Sequence, residues 1–405
     1  MKKNVLIVAL ILVLALVSCA EHECVWKEIS ATEPTCSAEG ERVFKCEGCG
    51  ATRTEKIEKL PHTFGDWKNS DDLKTNSREC SVCHETETRD GIVVNPTNAQ
   101  ELINSVNTGK VYFTAGEYGD LSLTHSKKVS TAKETNSKKD ADVNNLSDTT
   151  VYDYYRPIKD LELIGGDGVV LKGSFICSSG HRNGTKDNAI IDPIRGTSID
   201  STNSSYYSYI SIDGLEFKSM TFEAGQISFE NQMDSTVVKN VKIEGCFFAG
   251  TDGSKLQALK FLVDSNSFES ITIENTRIDN YYQGIWGEGF NNVTVSDCEI
   301  SNTEHNAIAI QSSKNVFTGA IALKNNTISN TADRAIRFGE GKDATITIEN
   351  NTLSSSVDGD NQLLKSGTLT NCTYSFTGNT YNGESLSTVE GSESSWTVTI
   401  PTEEV

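Results

Sequence analysis

The chain has 405 residues, with 36 basic and 56 acidic side chains and a formal net charge of −20. That balance argues against nucleic acid or an anionic lipid surface as partner and leaves neutral or cationic ligands, or bound divalent cations, open. Of the eleven cysteines, six lie between residues 24 and 83 and four are scattered after residue 170, so thiol chemistry is concentrated in one stretch.

Met1-Lys2-Lys3 is a short basic start, and Val5 to Val17 is apolar without interruption, which is short for a membrane span. The following Leu16-Val17-Ser18-Cys19 resembles the lipobox of bacterial lipoproteins. The resemblance implies that residues 1–18 are a signal peptide and that cleavage precedes Cys19. It also implies a palmitate-type lipid on that thiol and a chain exported to the bacterial cell envelope, held at the membrane through that lipid.

Residues 19–91 read as a separate Cys-rich module. Cys46-Glu-Gly-Cys49-Gly and Cys80-Ser-Val-Cys83-His align as two copies, each preceded by a Trp-Lys pair at Trp26 or Trp67. The second copy is shorter and has lost the counterpart of Cys36. The module resembles short Cys-rich repeats of exported bacterial surface proteins. Cys36, Cys46, Cys49 and His62 have Cys-x9-Cys-x2-Cys-x12-His spacing, which suits a tetrahedral, zinc-ribbon-like structural zinc site. His22, Cys24, Cys80 and Cys83 offer a second. Export also permits disulfides, so both readings stand. Cys80-Ser-Val-Cys83-His84 matches a haem attachment motif too, but His84 occupies the place of Gly50 in the first copy.

Further along, Thr97-Asn98-Ala-Gln100-Glu101 has capping-box spacing, and Leu102, Ile103 and Val106 give an apolar helix face ended by Gly109. A helix there would cap the open edge of a stacked sheet. Residues 126–155 are polar or lack periodicity and read as a mobile loop insertion. Leu161-Glu-Leu-Ile restarts a strand pattern, and residues 385–405 form a polar tail with one strand signal at Trp396–Ile400.

Between Ile210 and Phe376 one eight-residue phrase recurs seven times, starting at Ile210, Val241, Ile271, Val293, Ile321, Ile346 and Leu369. Its fifth residue is Gly214, Gly245, Asn275, Asp297, Asn325, Asn350 or Thr373, and all but the last adopt left-handed backbone readily. Starts 22 to 31 residues apart suit two or three short strands per unit, stacked around one continuous core. Residues 92–384 thereby resemble the right-handed parallel β-helix family that includes pectate lyases. The expected fold is all-β: a right-handed β-helix solenoid with an N-terminal capping helix, plus the Cys-rich module.

Stacking places equivalent residues about 4.8 Å apart. The sixth column, Cys246, Thr276 and Cys298, separates its cysteines by a whole rung, beyond disulfide reach, and reads as buried free thiols. Aligning the strand after each phrase as Ile227–Glu230, Phe261–Asp264, Ile285–Glu288, Ile308–Gln311 and Ile336–Gly339 yields two outward columns. One holds Trp286 and Arg337; the other holds Glu230, Asp264 and Glu288. Three stacked carboxylates suit Ca²⁺ or form a solvated acidic edge, and the resemblance adds that lyases of this fold use Ca²⁺ beside a basic residue, here Arg337. Trp286 offers a face for a sugar ring. Just before these strands Tyr282, His305 and Asp333 stack, followed by Gln283, Asn306 and Arg334. Tyr282 and Arg334 are candidate sugar contacts, and His305 with Asp333 a candidate acid–base pair. The expectation is an envelope protein binding extracellular polysaccharide, with lyase chemistry as its enzymatic form and an adhesin or structural surface protein as the alternative.

Overall fold

The computed structural model describes residues 23–123, 128–133, 150–183, 190–191, 198–199, 204–231, 238–263, 268–288, 290–310, 316–354, 364–365, 367–386, 390–392 and 395–397. The expected signal peptide over residues 1–18 and the lipidation candidate Cys19 lie outside these. Among the described residues no helix is long and apolar enough to cross a membrane. The chain divides into two compact units, Met1–Arg89 and Asp90–Val405.

The first unit holds two small three-stranded sheets, Trp26–Thr32 with Gly40–Cys46 and Thr52–Ile57, and Lys68–Asn69 with Thr75–Glu79 and Thr86–Asp90. Its strands are mostly exposed, and its buried side chains are Cys36, Cys46, Asn76 and Cys80. Aliphatic burial is replaced by guanidinium–aromatic stacking, the same in both copies. Arg53 covers Trp26 and Phe44 at 4.8 and 4.9 Å, while Arg78 covers Trp67 at 4.6 Å and Arg89 covers it at 3.9 Å.

The second unit is a coil of parallel strands with three faces. The first face runs from Gly109–Phe113 through the ends of Thr150–Ile164 and Ser204–Lys218 to Val238–Glu244, Ile271–Glu274, Val293–Ser296, Phe317–Lys324, Gly341–Glu349 and Thr373–Thr377. The second runs from Gly116–Tyr118 to Thr380–Tyr381. The third includes Leu121–Leu123, Phe175–Asn183, Ile227–Asn231, Gln257–Val263, Gln283–Gly287, Ile308–Ile310, Ile336–Phe338 and Leu364–Lys365. Each rung visits the faces in that order, so the architecture is a parallel β-helix.

Alternation decides which side chains enter the core. Ile271 and Ile273, Val293 and Val295, and Ile321 and Leu323 are buried, whereas Thr272, Thr294 and Ala322 face outward and are only half-buried. Stacked phenylalanines fill the middle: Phe222 on Phe248 at 4.6 Å and Phe229 on Phe261 at 5.2 Å. Burying each such ring contributes about 1.5–3 kcal/mol. On the outside of the first face, Lys218, Lys242 and Lys324 pair with Glu162, Glu216, Glu274 and Glu349, which neutralises part of the acidic surface.

The repeat register holds for Val241, Ile271, Val293, Ile321 and Ile346. It shifts at both ends: Val241 pairs with Leu215, not Ile210, and Ile346 with Tyr374, not Leu369. The left-handed corner is therefore Ser219, Gly245, Asn275, Asp297, Asn325, Asn350 and Gly378. The residue after it carries more structure than the corner itself. Asn326, Asn351 and Asn379 form a buried ladder: Asn326 and Asn351 Nδ2 each donate 2.9 Å to the next Oδ1, and all three Nδ2 donate 2.8–2.9 Å to a carbonyl of the preceding strand. Cys246 and Cys298 share that column and are buried free thiols.

The helix spans Ala99–Ser105, and the capping box does not form: Asn98 makes no side-chain cap bond. Gln100 instead pairs with the backbone of Ser122 in both directions, at 2.9 and 2.8 Å, supplying the open strand edge with a side-chain amide. The 126–155 insertion contains strands where a loop was expected. Lys128–Lys133 pairs antiparallel with the start of Thr150–Ile164, and residues 134–149 lie outside the described ones. In the tail, Ser395–Thr397 forms a hairpin with Glu390–Ser392 and pairs antiparallel with the third face at Lys365.

Candidate functional site

The third face carries the sugar-binding candidates, and its register differs from the sequence alignment. Leu259 pairs with Ile227 and Ile285, and Phe261 with Phe229 and Gly287, so Leu259 and Phe261 are the inward pair rather than Phe261 and Val263. The outward column therefore reads Ser228, Lys260, Trp286, Ala309, Arg337. Ser228 and Ala309 are buried, while Lys260, Trp286 and Arg337 are half-buried. Lys260, missed in the sequence, gives the strip a second cation. The signal that would have found it is the alternation of Leu259 with Phe261, hidden inside the apolar run Ala258–Val263.

The same shift dissolves the three-carboxylate column. Leu262 pairs with Glu230, and Asp264 falls two residues beyond, outside the described residues. Glu288 is a buried carboxylate at the end of its strand. Among the proposed Ca²⁺ ligands Glu230, Asp264 and Glu288, the rung position opposite Glu230 is therefore taken by Leu262, because the strand Gln257–Val263 enters the coil two residues earlier than its apolar pattern suggested.

The turn before the third face does bring its residues together. His305 Nδ1 lies 2.5 Å from Asp333 Oδ2, and Arg334 Nη1 donates to Asp333 Oδ1 at 2.5 Å. Tyr282 meets the His305 ring edge-on at 5.4 Å, and Lys255 Nζ sits 4.8 Å over the Tyr282 ring while pairing with Glu304 at 2.6 Å. Successive rungs set these contacts, since the His305 amide donates to the Tyr282 carbonyl and the Ala307 amide to Arg334. A proton on Nδ1, directed at the carboxylate, would leave the lone pair on Nε2, the tautomer that a general base requires. The Asn306 amide also reaches Nδ1, at 2.9 Å, and its buried Oδ1 has no partner. Half a turn of that amide would present the oxygen to Nδ1–H. Arg334 is largely buried and committed to Asp333, so it positions the carboxylate rather than standing free as a sugar contact. Arg337 follows Asp333 by four residues and Trp286 follows Tyr282 by four, so the strip lies on the strands that leave this turn.

In the N-terminal unit the thiols assemble differently from their spacing. One cluster is Cys36, His62, Cys80 and Cys83; the other is Cys24, Cys46 and Cys49; within each cluster all ligand atoms lie within 4.8 Å of one another. Cys36 thus leaves Cys46 and Cys49, with which its spacing had grouped it, and joins the knuckle of the second copy. His62 does likewise, and His22 lies outside the described residues. Sγ···Sγ is 3.9 Å for Cys36 and Cys80 and 3.9 Å for Cys24 and Cys49, and Cys83 Sγ is 3.3 Å from His62 Nδ1. Zinc with bonds of about 2.3 Å to sulfur in a tetrahedron sets its sulfurs about 3.8 Å apart, so these donors fit a structural zinc ion. The amides of Cys83 and Val82 hold the Cys80 thiol down to about 5, whereas the neighbouring Cys83 thiol pushes Cys36 of the same cluster up to about 11. Each knuckle closes on a left-handed residue, Gly50 (φ 75°) or His84 (φ 59°), whose amide donates to Cys46 or Cys80. His84 therefore serves as a turn residue, bonded to Glu79, in the place of that glycine.

A family model described as a right handed beta helix region matches residues 260–381, under a third of the chain. No curated protein and no solved structure matches it.

Proposed function

We propose that the β-helix binds an acidic extracellular polysaccharide along its third face, and that a lipid on Cys19 holds the chain at the bacterial cell envelope. The observation that carries the binding reading is the outward column Lys260, Trp286, Ala309, Arg337, a local cationic strip on a chain whose net charge of −20 otherwise disfavours a polyanion. Two cations flank an indole along one line, and such a strip suits a polymer with a carboxylate on one sugar and an apolar ring face on the next. The anchor rests on the Leu16–Cys19 motif. In the enzymatic form of this reading, His305 Nε2 takes the C5 proton next to a uronate carboxyl, with Asp333 holding the imidazole and Arg334 holding Asp333; the C4–O bond breaks as the C4=C5 bond forms, and the leaving sugar oxygen takes a proton from water. The non-enzymatic form, an adhesin or structural surface protein, is favoured by the commitment of Arg334 to Asp333, which withdraws one cation from a cleavage site.

A glycan array probed with the wild-type chain and with Trp286→Ala tests the strip. Binding to uronic-acid polymers should fall at least tenfold in the variant. No binding to any acidic glycan by the wild-type chain would overturn the reading. Ultraviolet absorbance of unsaturated product, present in wild type and absent in a His305→Ala variant that still binds, separates cleavage from binding alone.

A further inference from the structure

The two Cys clusters draw on the repeat copies unequally. Cys24, Cys46 and Cys49 all belong to the first copy, with Cys24 just before the strand Trp26–Thr32 and the knuckle just after Gly40–Cys46. Cys36 sits between those same two strands, in their connecting turn, yet its thiol faces His62, where the first copy ends, and Cys80 and Cys83 of the second copy. The second copy lacks its own counterpart of Cys36, so the first copy completes it. Disulfides serve this arrangement poorly: each cluster has three thiols, and any bridge within a cluster leaves one unpaired. Neither small sheet has an aliphatic core of its own, while Cys36 and Cys80 are among the few buried side chains of the unit. Below roughly 40 residues a fold usually needs a metal, disulfides or a partner to close.

We propose that the N-terminal unit binds two zinc ions, and that the ion held by Cys36, His62, Cys80 and Cys83 is the fastener joining the first repeat copy to the second. The other ion, on Cys24, Cys46 and Cys49, closes the first copy alone. Losing the fastener frees the second sheet and leaves the first folded. Losing the other ion loosens the first sheet.

The test is zinc content of the full chain, loaded with zinc and freed of excess by gel filtration. Wild type should carry two ions. Cys36→Ser and Cys80→Ser should each lose one, and the double variant should lose no more than either. Cys36→Ser combined with Cys46→Ser should lose both. Retention of one ion by that last pair would mean that Cys36 and Cys46 share a site, and the proposal would fail. It would fail equally if wild-type protein carried no zinc and no free thiol in this unit. Because a serine variant can simply unfold, His62→Cys provides the second measurement. With cobalt in place of zinc it should keep both ions and intensify thiolate-to-metal absorption, and unchanged absorption would exclude His62 as a ligand. Hydrogen exchange reads the fastening role: in Cys36→Ser, protection should collapse in Thr75–Glu79 and persist in Gly40–Cys46. Equal loss in both strands would refute that role.

Discussion

Replacing Asn351 by alanine should destabilise the coil by about 1–3 kcal/mol. Its side chain is buried and makes four hydrogen bonds of 2.9 Å. Nδ2 donates to the Leu323 carbonyl and to Asn379 Oδ1, and Oδ1 accepts from the Asn326 backbone amide and from Asn326 Nδ2. Two of those partners keep another bond after truncation: Asn326 Nδ2 still donates to Val295, and Asn379 Oδ1 still accepts from the Asn351 amide. The Leu323 carbonyl stays within the parallel ladder to Gly341–Glu349, so the Asn326 amide is the group that loses its partner in a site closed to water. At about 1–3 kcal/mol for one buried unsatisfied group, that gives the stated range. Asn350, one residue earlier, is exposed and left-handed with φ 55°, so Asn350→Gly preserves the corner and should change stability by less than about 1 kcal/mol. Urea unfolding of both variants, followed by circular dichroism, makes the comparison. A loss under about 1 kcal/mol in Asn351→Ala, or an equal loss in Asn350→Gly, would refute the ladder argument.

Burial pushes the thiols of Cys246 and Cys298 up to about 12 from an ordinary value of 9.0. Between those values the unfolded chain has released protons that the native thiols retain, so stability falls as pH rises through that window and is intact below it. Each thiol contributes a slope of about 1.4 kcal/mol per pH unit there, and Cys246→Val should remove one such slope from the alkaline unfolding profile. A variant profile parallel to wild type above pH 9 would contradict this. At Gly287, a Cβ would stand 2.0 Å from Phe290 Cζ and 2.9 Å from Phe261 Cβ. Both rings are fully buried and cannot swing aside, so Gly287→Ala should cost about 1–3 kcal/mol and lower Tm, and an unchanged Tm would show that the core yields there.

The coil was legible wherever a strand offered one inward pair and no other. Ile271, Val293 and Ile321 fall in register because their strands are short and bounded by left-handed corners. Ser204–Lys218 offers Ile210, Ile212, Leu215 and Phe217, more apolar positions than a rung uses, and the phrase was set too early. Gln257–Val263 misled for the same reason and carried the calcium reading with it. The His305–Asp333 pair was readable because each residue precedes its third-face strand by three positions. The metal sets were not. Spacing identifies each Cys-x2-Cys knuckle, but the third thiol is chosen by a hairpin turn that carries Cys36 away from its own knuckle. The asparagine ladder was missed by one residue, although the doublets Asn325-Asn326 and Asn350-Asn351 mark it.

The rung from Leu161 to Leu215 is more than twice as long as the rung from Ile271 to Val293, yet both place a buried aliphatic side chain at the same position in the first face. The surplus leaves the coil at its corners, as in the paired strands Gly180–Asn183 and Tyr206–Tyr209, and returns without altering what stacks inside. Core and corner are thus nearly independent variables. New surface can be added at one rung without renegotiating the packing of its neighbours, which lets a single line of contacts such as Lys260, Trp286 and Arg337 vary while the scaffold beneath it stays constant.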